Sequence, residues 1–364
     1  MKNTRFLTMV LAIAAVLTLG ANELRAATIT YEVGTCKSGY KTFSTISAAL
    51  TGAPPPNVVL VCPGTYFEQI QINFPVTLQG IVAANAGQAI IVPPPNGFVA
   101  NVIDDFGHPQ VAQLFVNNVP TPGVVNVSDL TFDAQNQGVY PDLTIGIFYQ
   151  NSSGTVNHVT TRNQNFPSTG GAGVWMEGGA ANPTVTVENS SVHDFGDFGI
   201  QAESNTPTSQ ITATLKGNYV NGLNGSTYNI YLNGGTTSTV TGNVSVNTLA
   251  CGICTIGPAA GSVSGNTVVD ASYGILANAD GVSVTSNKIF SSKYFGIDLG
   301  TPVAAVQSNT IMNTAIGITF SCMANPNVHS NTIVDTGTGL ANVPTAIASP
   351  NSYYSVTTIR TGGC

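Results

Sequence analysis

The sequence predicts an all-β fold, a single-stranded right-handed parallel β-helix with a short N-terminal capping helix, and three observations carry that expectation. A Gly followed by a branched aliphatic returns at Gly146-Ile147, Gly173-Val174, Gly199-Ile200, Gly252-Ile253, Gly274-Ile275, Gly296-Ile297, Gly317-Ile318 and Gly339-Leu340, and Asn229-Ile230 fills the one gap. Asparagines keep step with it at Asn218, Asn243, Asn266, Asn287, Asn309 and Asn331. Only 7% of residues are charged while 43% are hydrophobic, which excludes a helical protein with Lys- and Glu-rich faces and fits disorder poorly.

The later Gly-aliphatic steps lie 21 to 23 residues apart. A coil of that length holds short strands joined by tight turns, and coils stack at about 4.8 Å, so equivalent residues lie above one another. Inward positions become aliphatic columns; Ile147, Val174, Ile200, Ile230, Ile253, Ile275, Ile297 and Ile318 should be buried in one of them. Asn suits left-handed turn geometry and can hydrogen-bond its neighbour up the stack, and Gly permits the bend into the next strand. A β-sandwich has evenly spaced strands too, but does not demand identical turn chemistry at this period.

The elements follow in order. Lys2 and Arg5 precede an apolar run from Phe6 to Leu19 with small residues at Ala26 and Ala27, the pattern of a secretory signal peptide spanning 1–26. The run is short for a membrane span, so the mature chain, 27–364, is expected outside the cytoplasm as a secreted, extracellular or periplasmic monomer with no membrane contact after cleavage. Within it, 27–120 forms the cap and irregular first coils, 120–340 the regular coils and 341–364 a C-terminal tail. Phe43-Ser-Thr-Ile46-Ser-Ala-Ala-Leu50 has the apolar spacing of a short amphipathic helix over the open end of the core.

Here the sequence resembles a known family. Thr42-Phe43-x-Thr45-Ile46-x-x-Ala49, then Pro63-Gly-Thr-Tyr66-x-Glu68, then Val76-Thr-Leu-x-Gly80 are similar to the opening of pectin-lyase-like right-handed β-helix proteins, a likeness covering roughly 40–340. The resemblance implies the fold and an extracellular polysaccharide as partner. It does not carry over an active site: of the polygalacturonase motifs only an Asp104-Asp105 pair remains, the methylesterase and epimerase motifs are absent, and Lys or Arg bases are scarce.

Six cysteines in an oxidising compartment point to disulfides; Cys36–Cys62, tying cap to first coil, and Cys322–Cys364 are expected, and Cys251-Gly-Ile-Cys254 reads as structural. The net charge is −7, and losing residues 1–26 removes three basic residues and one acidic one, giving −9. Such a surface repels phosphate backbones, so nucleic acid is not an expected partner.

Titratable side chains crowd between residues 129 and 203, which places a charge-dependent site on the early coils. Counting outward from each Gly, one column reads Phe148, Trp175, Gln201, Tyr231 and another Gln150, Glu177, Glu203, Asn233. Aromatic faces pack on sugar C–H surfaces, while carboxylates and amides bind hydroxyls, so Phe148, Gln150, Trp175, Tyr231 and Asn233 are candidate glycan contacts. Glu177 and Glu203, one strand spacing apart, are candidate catalytic carboxylates, with His193-Asp194 just upstream; a retaining glycosidase brings two carboxyls about 5 Å apart. Ligand contact, a bridging Ca²⁺ and two splayed, solvated side chains are the other readings. No other cofactor is expected. Asp133 with Arg162 reads as an ion pair between coils, and Glu68 as structural near the first turn. Two functions remain open: a secreted polysaccharide lyase or glycoside hydrolase, or a non-catalytic glycan-binding or surface β-helix.

Overall fold

The computed structural model describes residues 28–82, 87–139, 142–165, 170–179, 182–204, 210–222, 225–257, 260–300, 305–320, 327–343 and 350–362. The proposed signal segment, Cys322 and Cys364 lie outside these residues.

The chain winds as a right-handed parallel β-helix of three ribbons. The first ribbon is a 13-stranded sheet containing Val76–Gly80, Val125–Ser128, Gly154–Asn157 and Thr184–Glu188, each paired in parallel with the next coil. The second holds Leu130–Asp133, Thr160–Arg162, Ser191–His193 and Tyr219–Asn221. The third holds Thr144–Gln150, Gly171–Glu177, Phe198–Ser204 and Tyr228–Gly234. Two long strands, Val244–Ile256 and Thr267–Asn278, run from the second ribbon into the third without a break, which joins those ribbons into one 23-stranded sheet.

All eight aliphatics of the expected column, Ile147 to Ile318, have no exposed surface and pair in register from coil to coil. Full burial of such a side chain contributes about 1.5–3 kcal/mol, and the column repeats this at every coil. The glycines before them act by close approach. A Cβ on Gly274 would lie 2.4 Å from the Gly296 carbonyl oxygen, and one on Gly296 would lie 2.4 Å from Ile311 Cγ2. These glycines are not left-handed, so the bend expected of them is corrected to a steric requirement: the ribbons meet where no side chain fits.

The asparagine ladder is also built differently in detail. The left-handed residue is the one before each ladder Asn: Gly217, Gly242 and Gly265, then Ser286, Ser308 and Ser330, with φ between 57° and 65°. That turn drives the Asn side chain inward. There, Asn266 donates its backbone N–H and its Nδ2 to Asn287 Oδ1, both at 3.0 Å, and Nδ2 also reaches the Val240 carbonyl at 2.9 Å. The same pattern repeats from Asn218 to Asn351. The coils continue beyond residue 340, since Ser352–Tyr354 and Thr358–Arg360 pair with the preceding coil.

At the start, helix α1 (Ile46–Leu50) buries Ile46, Ala49 and Leu50 over the core. Glu68 caps it: its carboxylate accepts from the Ile46 and Ser47 backbone N–H groups at 2.8 and 2.9 Å, satisfying donors that a helix start leaves free. Cys36 and Cys62 are bonded, with 5.7 Å between their Cα atoms. Cys251 and Cys254 form a second disulfide within one strand. The Asp133–Arg162 pair joins adjacent coils at 2.9 Å.

Candidate functional site

On the third ribbon, alternation turns Ile147, Tyr149, Val174 and Met176 into the core, and Phe148 and Trp175 away from it. The outward rings form a stack: Phe115 to Phe148 is 5.7 Å between centroids and Phe148 to Trp175 is 5.3 Å. The stack is not open to solvent. Phe148 and Trp175 are 0% and 3% exposed, because the chain lays a flap over them. Val102–Ile103 pairs antiparallel with the beginning of Pro109–Asn117, and Val102 packs with Phe115, Phe148 and Trp175 as a second apolar cluster. The exposed aromatic strip is therefore corrected at Phe148 and Trp175: outward from the helix is not the same as outward to water, and the Phe98–Gln110 segment had no repeat to reveal where it goes.

The flap also decides what the carboxylates do. Glu177 and Glu203 are in register on adjacent strands, as expected, and both are buried. Glu177 clasps the flap: Oε1 accepts from the Asp105 backbone N–H at 3.3 Å and Oε2 from Gln150 Nε2 at 2.9 Å, while Gln150 also donates to the Ile103 carbonyl at 2.8 Å. Asp104 folds the flap tip, accepting from the Phe106 and His108 N–H groups and from Gln110 Nε2. Burial pushes the Glu177 carboxyl up to about 8; Asp105 and Glu203 push the same way, and the Gln150 and Asp105 hydrogen bonds pull back. Burial likewise pushes Glu203 up to about 7, with Asp104 and Asp105 adding and hydrogen bonding from the Gln201 and Trp175 side chains partly offsetting. Asp105, on the exposed rim, is raised first by burial and then by Asp104.

At this border the buried acceptors Gln201 Oε1 and Glu203 Oε1 have no hydrogen-bond partner, and the buried Trp175 Nε1, close to the Glu203 carboxyl, lacks one of good geometry. Trp175 and Gln201 are in register, as are Glu177 and Glu203, so these atoms belong to two adjacent coils where the flap ends.

Past the flap the outward face carries half-buried rings. Phe198, Tyr228 and Tyr231 lie 4.9–5.5 Å apart, and Tyr273 lies 5.5 Å from Phe295 and 5.9 Å from Tyr294. Tyr231, Gln150 and Asn233 keep part of their surface in water, and Asn233 spends its Oδ1 on the Gly234 N–H. His193 and Asp194 are bonded to each other at 2.7 Å, but on the second ribbon, in line with Arg162 and Asn221. The structure does not place them on the strands of Glu177 and Glu203, because nearness in sequence spans a corner of the coil. Sequence reasoning left Asp104, Asp105 and Gln110 out of the site; the Asp-Asp pair was the one available signal.

Two family models match, a right-handed β-helix region over residues 121–276 and the periplasmic copper-binding protein NosD over 204–362. Together with the parallel three-ribbon wrap, the matches decide the fold. The chain is a right-handed parallel β-helix. Solved β-helices of this kind include a GH136 lacto-N-biosidase from Eubacterium ramulus, at TM-score 0.63 and 12% identity, covering 98% of this chain and 72% of that one. The Streptococcus pneumoniae surface adhesin PfbA gives 0.51 and 14%, covering 86% and 93%. A double mutant of the periplasmic alginate epimerase AlgG gives 0.51 and 12%, covering 84% and 73%. At these identities the β-helix shares a fold with them. Among curated proteins none matches the sequence.

Among the described residues of 204–362, no three His, Cys, Asp or Glu ligand atoms converge into a metal donor set. In 204–362 the sequence has one histidine, His329, and of its cysteines Cys251 and Cys254 are joined to each other. Among the described residues, the only group of three candidate ligands within 4.8 Å of one another is Glu32, Cys36 and Cys62, and its sulfurs are in a disulfide.

Proposed function

We propose that this β-helix is an exported protein that binds a neutral glycan along the outward face of its third ribbon, over Phe198, Tyr228, Tyr231, Tyr273 and Phe295. The observation that carries the reading is the two groups of half-exposed rings past the flap, Phe198, Tyr228 and Tyr231 and then Tyr273 and Phe295, with one coil between them. Rings left partly wet in a line offer successive faces to sugar C–H surfaces, and Asn233 and Asn278 beside them offer amides to hydroxyls. Export rests on the N-terminal signal pattern and on the two disulfides, which persist in oxidising compartments. Titration of the mature protein with xylohexaose, cellohexaose and chitohexaose should show saturable binding to at least one, weakened about tenfold by Tyr231→Ala or Tyr273→Ala. No binding to these or to their polymers would overturn the reading.

One observation favours a hydrolytic reading beside it. Glu203 keeps an unpartnered carboxyl oxygen and a pKa raised to about 7, the state of a general acid at neutral pH. Its proton would go to the glycosidic oxygen as the C–O bond breaks, while water attacks the anomeric carbon and gives its proton to the Asp105 carboxylate. New reducing ends from a bound hexasaccharide, lost in Glu203→Gln with binding retained, would establish this; binding without new reducing ends leaves a glycan-binding protein only.

A further inference from the structure

We propose that the glycan is recognised by its end: the flap is a wall across the third ribbon, and the terminal sugar's hydroxyls fill the places left by Trp175 Nε1, Gln201 Oε1 and Glu203 Oε1 beneath the flap tip. This rests on the glycan-binding reading and adds the mode of engagement.

The ribbon's outward face has two halves that differ in what lies on them. Over the early coils the aromatic stack of Phe115, Phe148 and Trp175 is occupied by the chain's own Val102. Over the later coils no described residue lies across the equivalent face as Val102 does, and its rings keep part of their surface in water. A linear glycan lying across the coils can extend over the later half but stops at the flap. An internal segment of a long chain has no path past Val102, so only a chain end fits.

The border carries unused chemistry of the matching kind. Two buried acceptors, Gln201 Oε1 and Glu203 Oε1, are unpaired, and the buried donor Trp175 Nε1 beside the Glu203 carboxyl makes no hydrogen bond of good geometry. Leaving such atoms without partners costs about 1–3 kcal/mol each, and native proteins rarely tolerate several together. A sugar hydroxyl both donates and accepts, so neighbouring hydroxyls on one terminal residue can serve a donor and acceptors at once. Access requires movement of the flap tip alone. Phe106 and His108 there are exposed, and the tip is held to the ribbon through Gln150 and Glu177. Its base, with Val102 packed on the rings, can stay.

The test compares chain ends with chain length. Xylan, cellulose oligomers and chitin oligomers of increasing length, and their hexasaccharides, are titrated with the mature protein, each also with a bulky fluorophore on one or other terminus. The expected result is one protein per chain whatever its length, and a loss of at least tenfold in affinity when one particular terminus is blocked. Trp175→Phe, which keeps a ring of similar packing and removes only the donor, should weaken binding about tenfold with an unchanged melting temperature. Stoichiometry that rises with chain length, or binding indifferent to both blocked ends, overturns the end-recognition inference and leaves the aromatic face standing. Unchanged affinity in Trp175→Phe overturns the placement of the terminal sugar. Absence of binding to every glycan brings down both this inference and the reading beneath it.

Discussion

Asn266 shows what a single residue does in this fold. It is fully buried, and its amide serves the Val240 carbonyl, the next asparagine up the ladder and the one below. Truncation to Ala removes several neutral hydrogen bonds and strands the Asn243 donors in the core, so Asn266→Ala should lose about 2–4 kcal/mol in denaturant unfolding. A loss under about 0.5 kcal/mol, the range of a surface change, would show that the ladder is decorative. Glu177 and Glu203 act in the opposite sense. Both are raised, to about 8 and about 7, so the folded state binds more protons than the unfolded one at pH values between the usual carboxylate range and about 8. Stability then falls as pH rises through that window. Melting temperature should decline from about pH 5 to about pH 8, and Glu177→Gln with Glu203→Gln should flatten the decline. Parallel curves for wild type and the double variant would contradict the assignment.

At the scale of elements, the repeat reads easily and the departures from it do not. The aliphatic column, the ladder, the cap helix and Cys36–Cys62 all follow from local pattern, because in a solenoid each coil meets only its neighbours and sequence spacing maps onto contact. The flap breaks that map. Phe98–Gln110 contacts Trp175 and Glu177, more than one coil away, through a hairpin without period, so the alternation rule put Phe148 and Trp175 on the right face but could not say what covers it. His193-Asp194 shows the complementary effect: a short stretch of sequence turns a corner, so the pair precedes Glu203 in the same coil but stands on another ribbon. The Gly-aliphatic step offers a sharp test of packing. Gly274→Ala brings a Cβ within 2.4 Å of the Gly296 carbonyl and 2.5 Å of Ile289, whereas Gly265→Ala meets nothing within 4 Å and is opposed only by its left-handed φ of 65°. Overpacking between ribbons costs about 1–3 kcal/mol or more, the turn about 1 kcal/mol. Thermal melts should rank Gly274→Ala well below Gly265→Ala; the reverse order would mean that the ribbons separate readily at that seam.

For the whole molecule, charge sets which glycans can come near. The chain carries 17 acidic and 10 basic residues, and Asp105 lies exposed at the flap tip beside the candidate site without a facing cluster of Lys or Arg. The fold is held by neutral parts, apolar columns and amide ladders, so salt should change its melting temperature little. A polyuronate is a different matter. Its carboxylates would meet a surface of like sign, and repulsion of that kind is long-ranged at low ionic strength and screened within about 10 Å at 0.1 M. A neutral glycan meets no such barrier, since ring stacking and hydroxyl hydrogen bonds are insensitive to salt. Binding of the neutral hexasaccharide should therefore be nearly constant between about 0.02 and about 0.5 M NaCl. Polygalacturonate and alginate should fail to bind at the low end and gain at most weak affinity at the high end. Tight polyuronate binding that weakens with added salt would reverse the sign of the argument. It would require a cation or a basic surface at the site, and would turn the reading from a neutral to an acidic polysaccharide.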